Sequence, residues 1–143
     1  RKMISIIGNR KLITLDPHTT YALRVIYREI DPDFNPEVHH YTEFIELGDL
    51  SAYVDHESCY LNRYLDINIK NNASKPEHSG KETGCCGGPI ELISPRLATA
   101  IANSRMDELL KTGKSNVLVW CPICLSNLSR LKRANVKDIL EII

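Results

Sequence analysis

The chain has 143 residues, of which 43% are apolar and 25% are charged, as in one ordinary globular domain with room for a hydrophobic core. Its 18 Lys and Arg residues balance 18 Asp and Glu residues, so no bulk charge attracts anionic lipid, and no nucleic acid partner is expected. No apolar run approaches the length of a membrane span. Five cysteines stand out, an odd number that disulfide pairing alone does not explain.

The first part of the chain is predicted to alternate between short strands and helices. Apolar residues follow Asp16-Pro17 at helical spacing, and this pair is typical of a helix start with Asp16 as the N-cap. The elements predicted in this part are a strand at 11–15, a helix at 17–30, a strand at 37–41, a short helix at 42–47 and a strand at 51–56.

The second part is predicted to continue the alternation after a polar loop at 68–84. Ser94 as N-cap, Pro95 at the first helical position and Gly113 after the end predict a helix over 95–112. The other elements predicted here are a helical turn at 60–65, a glycine-rich turn at 84–89, a strand at 116–120, a helix at 124–133 and a last apolar segment at 136–143, either strand or short helix.

This order of elements predicts the α/β class, with a small, mostly parallel sheet flanked by helices in a single domain over residues 1–143. Sites in such sheets form at the carboxyl ends of the strands. Cys59 and Cys121 each follow a predicted strand, and Cys85-Cys86 precede a helix. We therefore expect the cysteine-bearing loops to meet at one edge of the sheet.

The cysteines have the spacing C-x25-C-C-x34-C-x2-C, which is typical of a metal site rather than of disulfide staples. Clustered thiolates suit iron–sulfur clusters or zinc. Glycines beside the pair let the backbone turn around a bulky group, and helix N-termini after Cys86 and Cys121 are expected to lower thiolate pKa values. Three alternatives remain: buried structural thiols, a closed zinc site with four thiolates, and thiol–disulfide exchange at Cys121 and Cys124.

The segments Gly84-Cys85-Cys86-Gly87-Gly88-Pro89 and Cys121-Pro122-Ile123-Cys124 resemble those of the cysteine-rich CCG domain found in heterodisulfide reductases. Similar domains occur in glycolate oxidase iron–sulfur subunits and lactate-utilisation proteins. The resemblance runs from about Leu12 to Leu128 and includes the Leu15-Asp16-Pro17-His18 and His39-His40-Tyr41-Thr42 segments.

The resemblance implies a non-cubane [4Fe–4S] cluster, or in some members zinc, as the cofactor. The ligands that it implies are Cys59, Cys85, Cys86, Cys121 and Cys124. The chain would be the redox module of an oxidoreductase complex in the cytoplasm, inactive alone and reaching the membrane only through partner subunits. Those partners would be flavin or ferredoxin-type iron–sulfur subunits, and the substrate a disulfide or a quinone-linked molecule.

Three departures from the family pattern qualify the resemblance. Members usually carry the domain twice, and this chain has one copy, which suggests the C-terminal part of a larger subunit beginning within a strand-like segment. Asp16-Pro17-His18-Thr19 stands where a first copy would end with its own C-P-x-C. The stretch between Cys59 and Cys85 is also shorter than usual in the family.

Two further residues near the cysteines are functional candidates. His56, three residues before Cys59, is the candidate catalytic residue, a proton donor to a leaving thiolate, although an isolated histidine is more often only packed. Arg63 either binds an anionic substrate or pairs with Asp66. His39 and His40 are interpreted as ordinary residues at a strand end.

Overall fold

The computed structural model describes residues 2–143 and divides the chain into two compact units, Arg1–Glu46 (unit 1) and Leu47–Ile143 (unit 2). Both units combine parallel strands with helices, which confirms the predicted α/β class. The single domain over residues 1–143 stays a prediction. Among residues 2–143, no helix combines the length and the apolar character that a membrane crossing requires.

Unit 1 contains a two-stranded parallel sheet and one long helical segment. Its elements are α1 (Lys2–Ile7), β1 (Leu12–Thr14), α2 (Pro17–Tyr21), a π-helical turn (Ala22–Ile26), α3 (Tyr27–Ile30) and β2 (Val38–His40). Asp16 Oδ1 accepts hydrogen bonds from the N–H groups of His18 and Thr19 at 2.9 and 3.0 Å, so the predicted helix cap is confirmed. Leu23, Phe34 and Val38 form a small core.

Two predictions for unit 1 were wrong. Lys2–Ile7 is a helix rather than a strand-like start, and Gly8, with φ +58°, ends it in the left-handed region. The helix predicted at 42–47 is a single 3₁₀ turn, Tyr41–Glu43. A capping box starts this turn, in which the Glu43 carboxylate accepts from the His40 N–H at 2.8 Å. The turn ends where Phe44, with φ −123°, leaves the helical conformation.

Unit 2 contains a three-stranded parallel sheet in the order β3 (Tyr53–His56), β4 (Asn116–Val119), β5 (Asn135–Asp138). Two helices accompany it, α4 (Pro95–Leu110) and α5 (Pro122–Ser129). The register pairs His56 with Val119, so β3 and β4 end side by side. The core between sheet and helices includes Val54, Met106, Leu109, Val117 and Leu128.

The predicted elements of unit 2 differ from the observed ones mainly at their ends. α5 begins at Pro122 rather than at 124, because Cys121 is the N-cap and proline fits the first helical position. It ends at Ser129, and the chain reverses at Lys132, with φ +54°. The last apolar segment contains both predicted alternatives, since β5 leads directly into a 3₁₀ turn, Ile139–Glu141.

The same local arrangement occurs once in each unit. Asp16 caps a helix two residues after β1 ends, and Cys121 caps one two residues after β4 ends. In both cases a parallel strand follows and continues into a 3₁₀ turn with a capping box, completed by Glu43 in unit 1 and Glu141 in unit 2. Asp16-Pro17 thus takes the structural place of Cys121-Pro122, without a thiol.

Candidate metal centre

Three loops at one end of the unit 2 sheet carry the five cysteines. Cys59 lies three residues after β3, and Cys121 lies two residues after the adjacent β4. Cys85 and Cys86 come from the turn before a 3₁₀ turn at Gly88–Ile90, and Cys124 lies in the first turn of α5. The position of β3 beside β4 therefore brings distant parts of the chain to one edge, as the sequence predicts.

The five thiols form one continuous series of neighbours, each of which affects the pKa of the next. Cys59 interacts with Cys85, Cys85 with Cys86, Cys86 with Cys124, and Cys124 with Cys121. All five are thiols rather than disulfides; Cys86, Cys121 and Cys124 are buried, and Cys59 and Cys85 are half-buried. The structure thus assembles every predicted ligand, while their binding of a metal stays a prediction.

The thiols divide unequally between charged and neutral forms. Hydrogen bonds from Cys59 and Cys86, with help from the Gly87 N–H, lower the pKa of Cys85 to about 2. The pKa of Cys59 moves in the opposite direction, because its donation to Cys85 and its burial both raise it. The pKa of Cys124 is also raised, by its hydrogen bonds to Cys121 and Cys86 and by burial. Cys85 is therefore the thiolate, and the Cys59 and Cys86 thiols solvate it.

The expected lowering of the Cys86 pKa by a following helix does not occur. A hydrogen bond from Cys124 lowers this pKa, but donation to Cys85 and burial outweigh it and raise the pKa to about 12. The structural reason is that only a single 3₁₀ turn follows Cys86, and the next long helix, α4, begins at Pro95. A short turn offers little helix dipole.

Glycines around Cys86 are required by close contacts. Gly87 has φ +80°, and a Cβ there would lie 2.6 Å from the carbonyl oxygen of Ala98. A Cβ on Gly88 would overlap Cγ2 of Ile123. These close approaches let the Gly87 N–H donate to Cys85 Sγ at 3.2 Å and the Gly88 N–H donate to Cys86 Sγ at 3.4 Å.

His56 is the one histidine that the structure brings to the thiols, among the residues described. It is fully buried, and one of its ring nitrogens lies within 4.8 Å of the sulfur atoms of both Cys86 and Cys124. Burial, followed by the nearby Arg105 charge, lowers the pKa of His56 to about 3, so the ring is neutral. Its Nδ1 accepts a 3.0 Å hydrogen bond from Arg105 Nε.

Two residues of the site were missed at the level of sequence. Arg105 lies on the face of α4 that also carries the buried Ala98, Ala102 and Leu109, and an arginine on such a face is a signal for a buried polar contact. Asn127 of α5 donates from Nδ2 to the carbonyl oxygen of Cys86. Asn127 shares the buried face of α5 with Cys124 and Leu128, so its helical spacing is the signal that could have identified it.

The remaining candidates have structural roles. Arg63 does not pair with Asp66; it donates from Nε to the Lys81 carbonyl at 3.1 Å and from Nη2 to the Thr83 carbonyl at 2.6 Å. Arg63 therefore stabilises the loop that leads to Cys85 by binding two of its carbonyl groups. His39 and His40 belong to unit 1, where the ring nitrogens of His39 lie 2.9 and 3.0 Å from carboxylate oxygens of Glu37 and Glu43.

A cavity of about 210 Å³ opens beside Cys85. The residues that line it are Gly84, Cys85, Ile101, Ser104, Arg105 and Glu108. Cys85, whose pKa is lowered, is thus the cysteine that a small molecule reaches from this side.

Comparisons with known proteins agree with this geometry. The CCG family, described as a cysteine-rich domain, matches residues 53–129, which is more than half of the chain. The matched segment runs from β3 through α5 and contains all five cysteines, His56 and Arg105. No curated protein matches the chain. The match includes the thiols and the neighbouring histidine, whose arrangement suits a metal. The chain belongs to the CCG cysteine-rich domain family.

Proposed function

We propose that the five cysteines hold a non-cubane [4Fe–4S] cluster and that the chain is the redox module of an oxidoreductase complex. The resemblance points to complexes like heterodisulfide reductase or the glycolate and lactate oxidases. The observation that carries the proposal is the unbroken series of interacting thiols, which links Cys59 to Cys121 across three loops. Five thiols are more ligands than a single tetrahedral zinc ion binds.

The donor set fits an iron–sulfur cluster in chemistry as well as in number. Thiolates are the usual ligands of such clusters, and hydrogen bonds to the sulfurs set their reduction potentials. Backbone N–H groups of Gly87 and Gly88 already donate to two of the sulfurs. The half-buried Cys59 and Cys85 leave one side of the site open to a redox partner.

When bound, the cluster would supply one-electron transfer. The chain itself positions the thiolates, excludes water on the side of Cys86, Cys121 and Cys124, and leaves the cavity beside Cys85 accessible. A disulfide or a quinone-linked molecule is the proposed substrate. Flavin or ferredoxin-type iron–sulfur subunits are the proposed partners, and the reducing cytoplasm, where clustered thiols persist, is the proposed location.

A structural zinc site is the second candidate, in which the domain binds partners without catalysis of its own. The observation in its favour is the compact, fully buried group of His56, Cys86 and Cys124, whose ligand atoms lie within 4.8 Å of one another. With one more thiolate this group would complete a closed tetrahedral zinc site. That site would leave some of the five thiols without a role.

Anaerobic reconstitution with iron and sulfide tests the proposal. We expect about four iron and four acid-labile sulfide per chain, with thiolate-to-iron absorbance and an EPR signal in the oxidised, thiol-treated state. Each single Cys→Ser variant should lower the iron content, with Ser58→Ala, beside Cys59, as the matched control. A colourless product that holds one zinc per chain, and keeps it after one of the five replacements, would overturn the proposal in favour of zinc.

A further inference from the structure

Arg105 is a permanently charged side chain in the core of unit 2, with only 2% of the side chain exposed. Its guanidinium makes four hydrogen bonds. Nε donates to His56 Nδ1 at 3.0 Å, Nη1 to the His78 carbonyl at 3.1 Å and to Glu108 Oε2 at 2.8 Å, and Nη2 to Thr83 Oγ1 at 3.3 Å. These partners hold the guanidinium in one orientation, so the bond to His56 is a fixed feature of the site.

Gly84 shows that the chain is shaped around this guanidinium. A Cβ on Gly84 would lie 3.0 Å from both Cδ and Nη1 of Arg105, so the residue before the cysteine pair must be small. Glu108, which balances the charge, also accepts from the His78 N–H at 2.6 Å. The arginine thus joins β3, α4 and the loop before Cys85.

The bond from Arg105 determines which nitrogen of His56 carries the proton. A guanidinium can only donate, so Nδ1 of His56 must offer its lone pair and the proton of the neutral ring resides on Nε2. A histidine that binds a metal has the reverse arrangement, because its second nitrogen donates to a carboxylate or a carbonyl. The distances between the His56 ring and the sulfur atoms would allow His56 to be a metal ligand. The hydrogen bond from Arg105 to Nδ1 opposes this role, because it leaves the proton on Nε2.

We propose that His56 serves the site as an Nε2–H hydrogen-bond donor to its sulfur atoms, and that Arg105 is the positioning residue that prevents His56 from becoming a metal ligand. The inference rests on the proposed metal site and specifies a role within it. Two of the sulfurs, on Cys86 and Cys124, lie within 4.8 Å of the ring. A donor among thiolates stabilises their negative charge without occupying a coordination position.

The state of His56 can be read directly by nitrogen NMR of the full chain, labelled with ¹⁵N-histidine, without metal and after loading with ¹¹³Cd²⁺. Cadmium is a diamagnetic probe that prefers thiolates. We expect His56 to carry its proton on Nε2 in both states and to show no ¹¹³Cd–¹⁵N coupling. A His56→Gln spectrum assigns the signal, and His78→Gln is the control. Coupling of cadmium to His56, or a proton on Nδ1, would overturn the inference.

Variants test the role of Arg105 separately. Arg105→Met should let the His56 proton redistribute to Nδ1, and Arg105→Lys should restore the Nε2–H form in part. His56→Gln, which keeps an N–H donor, should retain cadmium affinity within about tenfold, whereas His56→Ala should lose about 10- to 100-fold. Loss in His56→Gln as large as in Cys124→Ser would mark His56 as a ligand and refute the inference. Failure of the wild-type chain to bind cadmium or iron would instead refute the proposed metal function.

Discussion

The indole N–H of Trp120 donates a 2.6 Å hydrogen bond to Oδ1 of Asp55, and both side chains are buried. Asp55 Oδ2 accepts hydrogen bonds from Lys75 Nζ at 2.7 Å and from Asn71 Nδ2 at 2.8 Å, so both oxygens of the buried carboxylate have hydrogen-bond partners. Burial raises the pKa of Asp55, and Lys75 opposes this effect. The bond connects the residue before Cys121 to the strand that leads to Cys59, and thereby fixes the spacing of two cysteine loops.

Trp120→Phe removes this donor while keeping an aromatic ring in the core. We expect the free energy of unfolding to fall by about 2–3 kcal/mol, because a hydrogen bond to a charged acceptor is lost and a smaller ring packs less well. Urea unfolding of the reduced, metal-free chain measures this change. Leu92→Ala, at a side chain that is 99% exposed, is the control and should change the stability little. Equal effects of the two replacements would contradict the structural role of the bond.

The two glycines after Cys86 should respond differently to alanine. In Gly88→Ala the new Cβ meets Cγ2 of Ile123, so the added replacement Ile123→Ala, which removes this methyl, should restore the cadmium or iron content. In Gly87→Ala the clash is with the backbone oxygen of Ala98 and φ is +80°, so Ile101→Ala should not restore it. We expect Gly87→Ala to cost about 1–3 kcal/mol of stability. Rescue of both variants, or of neither, would show that these contacts do not govern the turn.

Cys85 should be the first thiol to react with iodoacetamide in the metal-free chain. Its pKa is lowered to about 2, so it is a thiolate throughout the neutral range and its alkylation rate should stay flat between about pH 5 and 8. An ordinary thiol would react about tenfold faster with each pH unit in this range. Peptide mass spectrometry over time gives the order of modification. Earlier labelling of Cys59, which is also half-buried, would disprove this assignment.

The sequence predicted those features of the fold that depend on local rules. Asp16-Pro17 and Ser94-Pro95 both start helices, because a capping side chain and a proline are sufficient signals within a few residues. The meeting of the cysteine loops was also predictable, since parallel strands end at the same edge. Only the family resemblance, however, suggested a particular cofactor.

Features that depend on distant partners were not predictable. The polar loop at 68–84 has no periodicity, yet Ser74 extends the sheet by bonding to the backbone of Tyr53 and Asp55 at 2.9 Å. Arg105 stands in an otherwise apolar stripe, and its partners His56 and Thr83 lie 49 and 22 residues away. Helical spacing identifies the face that is buried, but it does not reveal which polar group lies opposite that face.

His40 makes the stability of the chain depend on pH. It is fully buried in unit 1, its Nδ1 lies 2.7 Å from Thr42 Oγ1, and its Nε2 has no hydrogen-bond partner among the described residues. Burial lowers the pKa of His40 to about 4, against about 6.5 in an unfolded chain. Between these values the unfolded state binds a proton that the folded state does not. His40 alone should therefore lower the stability by on the order of 3 kcal/mol as the pH drops from about 6.5 to about 4.

His40→Asn isolates this contribution, because asparagine keeps a side-chain acceptor at the N-cap but does not titrate. Its stability should fall by on the order of 3 kcal/mol less than that of the parent between about pH 6.5 and 4, as urea unfolding at steps from about pH 4 to 7.5 would show. His56 and Cys85, whose pKa values are also lowered, affect both proteins equally. The pKa of His39 is raised by Glu37 and Glu43, so its stabilising effect is lost only as the pH rises above about 6.5. His39 is present in both proteins, and the pH range in which it affects stability does not overlap the range in which His40 does. Parallel pH profiles for parent and variant would mean that His40 is protonated in the folded chain.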